Sequence, residues 1–266
     1  MNTILVPFLA AISYAGSILV AKYGLTRRRI SLRDYIPGIF LSLAFFSFLT
    51  LIKWGGANSE ALFKTHNLLL LIALIVTATI WNVLYYVGLS KEKMNTTEGV
   101  ILLMPLMTIV FSWAVVPSNF DIRIAFAAAA ATFLVAATYR PRKLVRFDIY
   151  GLMLMLAVVL MAIENVLAGE LLQTNSISPA TLYAIRTSVI FVIFYAYYRP
   201  SFRKLSYRTV ALLAVSGFIG TSAMLLRFYG LRDAGITLTA IILILVPVIV
   251  FSSAMVFFHE RMKPKR

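Results

Sequence analysis

Glu164 and Arg186 have the clearest capacity for chemistry in this 266-residue chain, because each stands inside a long apolar segment. A charged side chain in hydrocarbon costs roughly 2.5–3.5 kcal/mol on insertion scales, so such residues are usually paired or functional. The two segments are joined by a short loop centred near Asn175, which lies eleven residues from each of them. Equal distance from the turn of an antiparallel hairpin means equal depth. We therefore expect an ion pair, which either sets helix packing or takes part in binding a substrate or a proton.

Further polar side chains stand beside aromatic ones inside apolar segments. Trp81 and Asn82 are adjacent in one segment, Tyr14 lies in the middle of another, and Asn165 follows Glu164. A mostly apolar cavity with a few placed polar groups is the usual form of a small-molecule site. Helix packing and interhelical hydrogen bonds are the alternative roles of these side chains. The predicted substrate-binding and cavity residues are Tyr14, Trp81, Asn82, Glu164, Asn165 and Arg186.

Several kinds of site are excluded by the residues that are missing. The chain has no Cys and only two His residues, so thiol chemistry, thiolate metal sites and His-rich metal sites are ruled out. Neither a glycine-rich phosphate loop nor an HExxH-type motif occurs. No paired carboxylates or Ser/His set stands at catalytic spacing. We predict no catalytic residue, no metal and no cofactor, and we expect that the protein is not an enzyme.

The composition indicates a protein that faces lipid. Hydrophobic residues make up 61% of the chain and charged residues 13%, whereas a soluble domain is about 45–50% apolar and about 25% charged. The net charge is +15, but the basic residues lie in short gaps between apolar segments, as the positive-inside rule predicts for membrane proteins. The expected partners are therefore membrane lipids and a small-molecule substrate, and not nucleic acid.

Nine segments have about the length of 20 residues that a bilayer-spanning helix requires. The chain is thus predicted to be an all-α, polytopic transmembrane helix bundle. The first segment could instead be a signal peptide, but Met1-Asn2-Thr3 lacks the basic start that such peptides carry. The predicted spans are 3–22, 35–52, 67–89, 96–116, 122–139, 148–170, 179–198, 208–230 and 235–258.

Lys and Arg alternate between the two sides of the predicted bundle. The gaps on one side and the C-terminal tail hold nineteen of them, against four on the other side. This bias predicts a cytoplasmic-membrane protein with its N-terminus outside and its C-terminus inside. Arg227 lies near the outer end of its span, where we expect its side chain to snorkel toward the headgroups.

The chain matches itself without a gap when it is shifted by 142 residues. We predict a first repeat over 1–142 with five spans and a second over 143–266 with four, the tenth helix being absent. An odd number of spans inserts the second copy upside down, and inverted repeats recur in secondary transporters. The most informative matched pairs are Pro37 with Pro179, Gly88 with Gly230, and Pro105 with Pro247.

Pro105 and Pro247 are predicted to kink their helices. Each proline lacks an N–H group and so leaves the carbonyl four residues earlier, at Ile101 or Leu243, without its helical donor. In lipid such a carbonyl must find another partner or line a cavity. The kinks therefore either shape a path through the bundle or are simply packed.

Certain motifs resemble those of a known family. The strongest stretch runs from Tyr229-Gly230-Leu231 through Pro247 to His259-Glu260-Arg261, and a weaker copy comprises Tyr86-Val87-Gly88-Leu89 and Pro105-Leu106. Together with Ser178-Pro179 and the following Arg186, these motifs resemble the EamA-like members of the drug/metabolite transporter superfamily. The resemblance implies ten helices, and a central cavity between the repeats that is lined mainly by spans 1, 3, 4, 6, 8 and 9.

The resulting prediction is a secondary transporter or exporter of a small organic solute, such as a metabolite, an amino acid or a drug-like molecule. It would act across the cytoplasmic membrane by alternating access. The alternatives are a flippase for a lipid-linked or amphiphilic molecule, and a membrane partner protein that transports nothing. A homodimer is left open.

Overall fold

The computed structural model describes residues 4–26, 28, 30–92, 94–115, 122–123, 126, 128–130, 132–133 and 148–257. Regular structure in this part of the chain is helical, apart from one isolated β-bridge between Ala57 and Ile177. The first half forms α1 (Leu5–Thr26), α2 (Leu32–Trp54), α3 (Ser59–Leu62), α4 (Thr65–Lys91), α5 (Met94–Ile101) and α6 (Leu103–Val115). The second half forms α7 (Ile149–Gln173), α8 (Pro179–Tyr198), α9 (Tyr207–Asp233), α10 (Ile236–Leu243) and α11 (Leu245–Phe257), with a 3-10 turn at Phe202–Lys204.

Within the described part of the chain, six helices are long and apolar enough to cross a membrane, namely α1, α2, α4, α7, α8 and α9. Each corresponds to one predicted span, and the bounds of α8 coincide with the predicted 179–198. The prediction of an all-α polytopic bundle is therefore confirmed. The predicted span 122–139 lies largely outside the described residues, although those described within it are helical.

The predicted spans 96–116 and 235–258 are each two helices and not one. The first is interrupted at Leu102, between α5 and α6, and the second at Ile244, between α10 and α11. Pro105 and Pro247 then lie in the first turn of the helix that follows, where a missing N–H group is tolerated. The interruption begins directly after Ile101 and Leu243, the residues whose carbonyls the prolines are expected to leave without a donor.

Short polar side chains begin four of the long helices. Ser31, Asp148, Ser178 and Ser206 each accept a hydrogen bond from a backbone N–H group in the first turn of the helix that follows. Such a cap satisfies a donor that has no partner within the helix. Pro179 follows its cap directly, at a position where its fixed φ favours the start of a helix. These caps explain why the four helices begin at these residues.

Paired contacts give the relative direction of α1, α2, α8 and α9. Gly24 of α1 faces Leu212 and Gly16 faces Ile219, so α1 and α9 are antiparallel. Gly38 of α2 faces Leu213 and Gly217 faces Ser42, so α2 and α9 are parallel. Phe40 contacts Phe194, and Ser47 contacts Thr187, so α2 and α8 are antiparallel. Consequently α1 and α8 run in one direction, and α2 and α9 run in the other.

The remaining long helices complete an inverted arrangement. The Nζ of Lys22 donates to the carbonyl of Leu89, which places the C-terminal ends of α1 and α4 together. Gly88 faces Leu154 and Trp81 contacts Glu164, so α4 and α7 are antiparallel. Thus α7, α8 and α9 run opposite to α1, α2 and α4 respectively. The bounds of α9, α10 and α11 also equal those of α4, α5 and α6 shifted by 142 residues.

Two seams tie the halves together at opposite ends of the bundle. At one end the loop after α2 meets the loop between α7 and α8 through backbone hydrogen bonds, from Asn58 N to Ser176 O at 2.9 Å and from Ser178 N to Gly56 O at 2.8 Å. We call this contact the loop seam. At the other end, Arg33 donates to the carbonyls of Tyr198 and Arg199, and Asp34 accepts from Ser201 N. We call this contact the basic-end seam.

The close approach of α2 and α9 at Gly217 predicts a specific sensitivity. A Cβ atom at residue 217 would lie 3.0 Å from the carbonyl carbon of Ser42 and 3.2 Å from its Cα, closer than packed atoms allow. We expect Gly217→Ala to lower stability by about 1–3 kcal/mol through overpacking, measured by thermal unfolding in detergent. Gly99→Ala is the control, since no atom lies within 4 Å of its added Cβ. Equal melting temperatures for the two variants would contradict the close approach.

Candidate functional site

A fully buried ion pair lies inside the bundle. Arg186 Nε donates to Glu164 Oε1 at 2.5 Å, and the two side chains are 2% and 0% exposed. The contact joins α7 to α8 across the loop in which Asn175 has a left-handed φ of 54°. The predicted meeting of Glu164 and Arg186 is therefore present. Without its partner, either charge would be strongly disfavoured at this depth.

Trp81 extends this pair into the first half of the chain. Its indole Nε1 donates to Glu164 Oε2 at 2.5 Å, so the two carboxylate oxygens have different donors. The guanidinium carbon of Arg186 lies 5.7 Å from the centroid of the Trp81 ring and 6.0 Å from that of Tyr183, within the range of cation–π attraction. Trp81, Glu164 and Arg186 thus form one hydrogen-bonded triad contributed by α4, α7 and α8.

A cavity lies against this triad. The centres of water-sized molecules can occupy about 50 Å³ of it, whereas one buried water needs about 10–15 Å³ on that measure. The space is therefore narrow, and its wall is mostly aromatic and aliphatic with a few polar groups. The polar and aromatic lining residues are Tyr14, Ser17, Phe40, Trp81, Asn82, Tyr85, Tyr86, Tyr183, Arg186 and Ser216.

Five helices contribute the lining, namely α1, α2, α4, α8 and α9. The lining that the family resemblance implied is therefore corrected. Spans 1, 3 and 8 contribute as expected, but spans 2 and 7 replace spans 4, 6 and 9. Helices α2 and α8 pack antiparallel beside the cavity, whereas α5, α6, α10 and α11 pack against α7, α1 and one another.

The cavity is displaced toward the basic end of the bundle. On α4 the lining residues all lie between the helix midpoint and Lys91, and on α1 they extend from the midpoint toward Thr26. Lys22 lies near this end, buried, and donates to the carbonyls of Leu89 and Glu92 at the end of α4, where a cation is favoured by the helix dipole. The described Lys and Arg residues at this end are Lys22, Arg28, Arg33, Lys91, Arg199, Arg203, Lys204 and Arg208.

The predicted site residues fall into three groups. Tyr14, Trp81, Asn82 and Arg186 line the cavity. Glu164 does not line it, but contacts two residues that do. Asn82 also donates to the carbonyl of Ala78 at 2.8 Å, in the preceding turn of its own helix.

Asn165 and the two prolines lie away from the cavity. Asn165 Nδ2 donates to Thr108 Oγ1 at 3.0 Å, so this side chain faces α6, on the other side of α7 from the triad. Thr108 in turn donates to the carbonyl of Met104 in the broken segment that contains Pro105. The prediction that Asn165 lines the cavity is therefore not met by the structure. Pro105 and Pro247 break their helices but do not line the cavity.

The sequence-based prediction for the Arg227 side chain was wrong. It was expected to snorkel outward, yet it is only 2% exposed and packs inside the bundle. Nη1 contacts the sulfur of Met224 at 3.6 Å, and Nε and Nη2 have no hydrogen-bond partner among the described residues. Helical spacing could have revealed this, since Ser216, Gly220 and Met224 line the cavity and Arg227 continues the same face of α9.

The triad predicts strong coupling between its charges. Glu164→Gln or Arg186→Gln alone leaves one buried charge unpaired and should cost about 3–5 kcal/mol. The double variant removes both charges, so its loss should be smaller than the sum of the single losses, as thermal unfolding would measure. The matched control is Arg232→Gln with Asp233→Asn, a surface pair that is 33% and 45% exposed. Additive losses at Glu164 and Arg186 would show that the pair contributes no coupling.

Comparison with known proteins agrees with this architecture. Residues 149–266 match the model of the EamA-like transporter family. No curated protein matches the chain significantly. A solved structure described as "Crystal structure of protein" has a TM-score of 0.72 to this chain at 13% identity, over 99% of this chain and 90% of its own, and this likeness concerns the fold. The chain is therefore an integral membrane protein whose residues 149–266 match the EamA-like transporter family, a domain of the drug/metabolite transporter superfamily.

Proposed function

We propose that this protein is a secondary transporter that carries a small organic solute across the cytoplasmic membrane by alternating access. The observation that carries the proposal is the cavity at the centre of two oppositely oriented halves. Helices α1, α2 and α4 of the first half and α8 and α9 of the second surround it. A site at the interface of inverted repeats is the usual location for a transported substrate.

The chemistry of the cavity favours a binding role over a purely structural one. A membrane protein that only binds other proteins would fill its centre with apolar side chains. Here the hydroxyls of Ser17 and Ser216, the Asn82 amide and the Arg186 guanidinium converge on one space among aromatic rings. A few placed polar groups in an apolar wall are typical of small-molecule sites.

The asymmetry of the cavity supports an alternating mechanism. The lining residues of α1, α2 and α4 lie toward the basic end, whereas those of α8 lie on its loop-seam half, and a seam joins the two halves at each end. Because each half runs opposite to the other, exchanging the conformations of the two halves would shift the cavity toward the loop-seam end. The narrow space now present would have to widen for a solute larger than a few waters.

Orientation and repeat boundaries belong to the same proposal. The basic end faces the cytoplasm under the positive-inside rule, which puts the N-terminus outside and the C-terminus inside. The repeats are 1–142 and 143–266, and the equal bounds of α4 to α6 and α9 to α11 at a shift of 142 residues support this division. Substrate and lipids are the only partners that the mechanism requires.

A binding screen followed by a flux assay tests the proposed function. Purified protein is screened for thermal stabilisation by amino acids, nucleosides, sugars and small aromatic acids and amines, because a ligand that binds only the folded state raises its apparent stability. Each stabilising solute is then loaded into proteoliposomes and its flux is measured. We expect at least one class to move faster than through protein-free vesicles.

Gly220→Val should abolish that flux. The added side chain points toward Leu43 and Ser17, both of which line the cavity, with its Cβ 3.0 Å from Leu43 Cδ2 and 3.4 Å from Ser17 Oγ. The control is Phe218→Leu on the lipid-facing side of α9, where residue 218 is 59% exposed. Flux that survives Gly220→Val in a folded protein, or the absence of flux for every solute class, would overturn the proposal.

A further inference from the structure

Buried charge in the middle of the bundle does not balance among the residues that the structure describes. Four charged side chains are buried there, namely Lys22, Glu164, Arg186 and Arg227. Lys22 binds backbone carbonyls at the basic end. The fully buried central part therefore contains two guanidinium groups and one carboxylate, while Glu170, half-buried near the loop-seam end of α7, also has a buried Oε1 without a partner among the described residues. Arginine stays protonated in proteins, so one positive charge is uncompensated.

The guanidinium groups also have spare donors. Nη2 of Arg186, and Nε and Nη2 of Arg227, lack a hydrogen-bond partner among the described residues. Arg186 and Arg227 are each 98% buried, so neither can reach bulk water from this position. A buried polar group without a partner is costly, and a buried unpaired charge is more so. Such groups call for an anionic partner.

The two arginines relate differently to the cavity. Arg186 lines it directly, whereas Arg227 lies one helical turn beyond the lining residue Met224 on the same helix, α9. Arg227 interacts electrostatically with Glu164, Tyr14 and Arg186, so these groups share one neighbourhood. The deep end of the cavity, away from the basic end, is therefore positively charged.

The buried Glu164 carboxylate is less suited to bind a cationic solute than the two arginines are to bind an anionic one. Glu164 Oε1 already accepts from Arg186, and Oε2 accepts from Trp81. A cation would have to displace one of these charge-assisted bonds, whereas an anion would use donors that are unoccupied. A carboxylate matches the planar fork of a guanidinium group and can accept two parallel hydrogen bonds from it.

We propose that the deep end of the cavity binds the carboxylate of a small organic acid between Arg186 and Arg227. The aromatic wall of Phe40, Trp81 and Tyr183 then contacts the apolar part of the same molecule. This inference rests on the proposed function and narrows its substrate to a class. Arg227 is a binding residue in this account, and Glu164 is a positioning residue that holds Arg186.

The test uses three probes of similar shape and different charge, namely phenylacetate, phenylacetamide and phenethylamine. Binding to the purified full chain is measured by thermal stabilisation and by calorimetric titration. We expect phenylacetate to bind at least about 10-fold more tightly than the other two, since a hydrogen bond to a charged group contributes about 1.5–3 kcal/mol. Equal or tighter binding of the amide or the amine would overturn the anion site.

The variant Arg227→Met tests whether Arg227 binds the carboxylate or only supports the fold. We expect it to weaken phenylacetate binding by about 10–100-fold, while the ligand-free variant melts at the same or a higher temperature because an uncompensated charge is gone. Arg232→Met on the same helix, which removes a partly exposed arginine, should leave phenylacetate binding unchanged. Unchanged affinity in Arg227→Met overturns the proposal, and Arg227→Lys serves as the variant if the methionine form does not fold.

Flux measurements distinguish failure of this inference from failure of the proposed function. Transport of phenethylamine, phenylacetamide or another non-acidic solute without transport of phenylacetate leaves the transporter proposal standing and overturns the anion site. Transport of phenylacetate that Arg227→Met abolishes supports both. If no solute class moves through the parent protein, the proposed function fails and the inference fails with it.

Discussion

The Glu164 carboxylate is tolerated in the centre of this bundle only because three helices converge on it. Trp81 from α4 and Arg186 from α8 each bind one oxygen, and neither contact forms unless α7 lies between those helices. The hydrocarbon region contains no water that could replace a missing hydrogen-bond donor. The position of the triad therefore constrains how the two halves of the chain fit together. It also fixes where the cavity lies, since Trp81 and Arg186 form part of its wall.

Close contact between helices at small residues is the second constraint. Gly88 approaches Leu154, and Gly217 approaches the backbone of Ser42. Apolar side chains gain little by leaving lipid for the protein interior, so helices in membranes associate mainly through such tight packing and through polar contacts. Both glycines lie between the two halves, so the interface that would have to move in the proposed transport cycle is tightly packed at these two points.

Several features follow from sequence patterns, and others do not. The six long helices and the meeting of Glu164 with Arg186 could be predicted because hydropathy and hairpin geometry determine them. The breaks at Leu102 and Ile244 could be predicted only as kinks, because Pro105 and Pro247 each remove one backbone hydrogen bond but do not determine whether the helix continues past it. The burial of Arg227 was not predicted, because the direction of its side chain, toward the headgroups or into the bundle, depends on which face of α9 packs against other helices. The role of α2 and α8 at the cavity likewise depends on packing between distant parts of the chain.

The two seams occupy related places under the 142-residue shift but differ in kind. Ser176 corresponds to Asp34, and Gly56 to Tyr198. The loop seam combines hydrogen bonds between peptide groups with two that involve side chains, because Thr181 Oγ1 accepts from Gly56 N and Ser178 Oγ donates to the Trp54 carbonyl. The basic-end seam depends on Arg33 and Asp34, and one substitution can remove it. In the proposed exchange of the two halves, a substitution at Arg33 or Asp34 would weaken the seam at the basic end and so change the preference between the two conformations. A substitution in the basic-end seam could change the rate or direction of the proposed transport without altering the residues that bind the substrate.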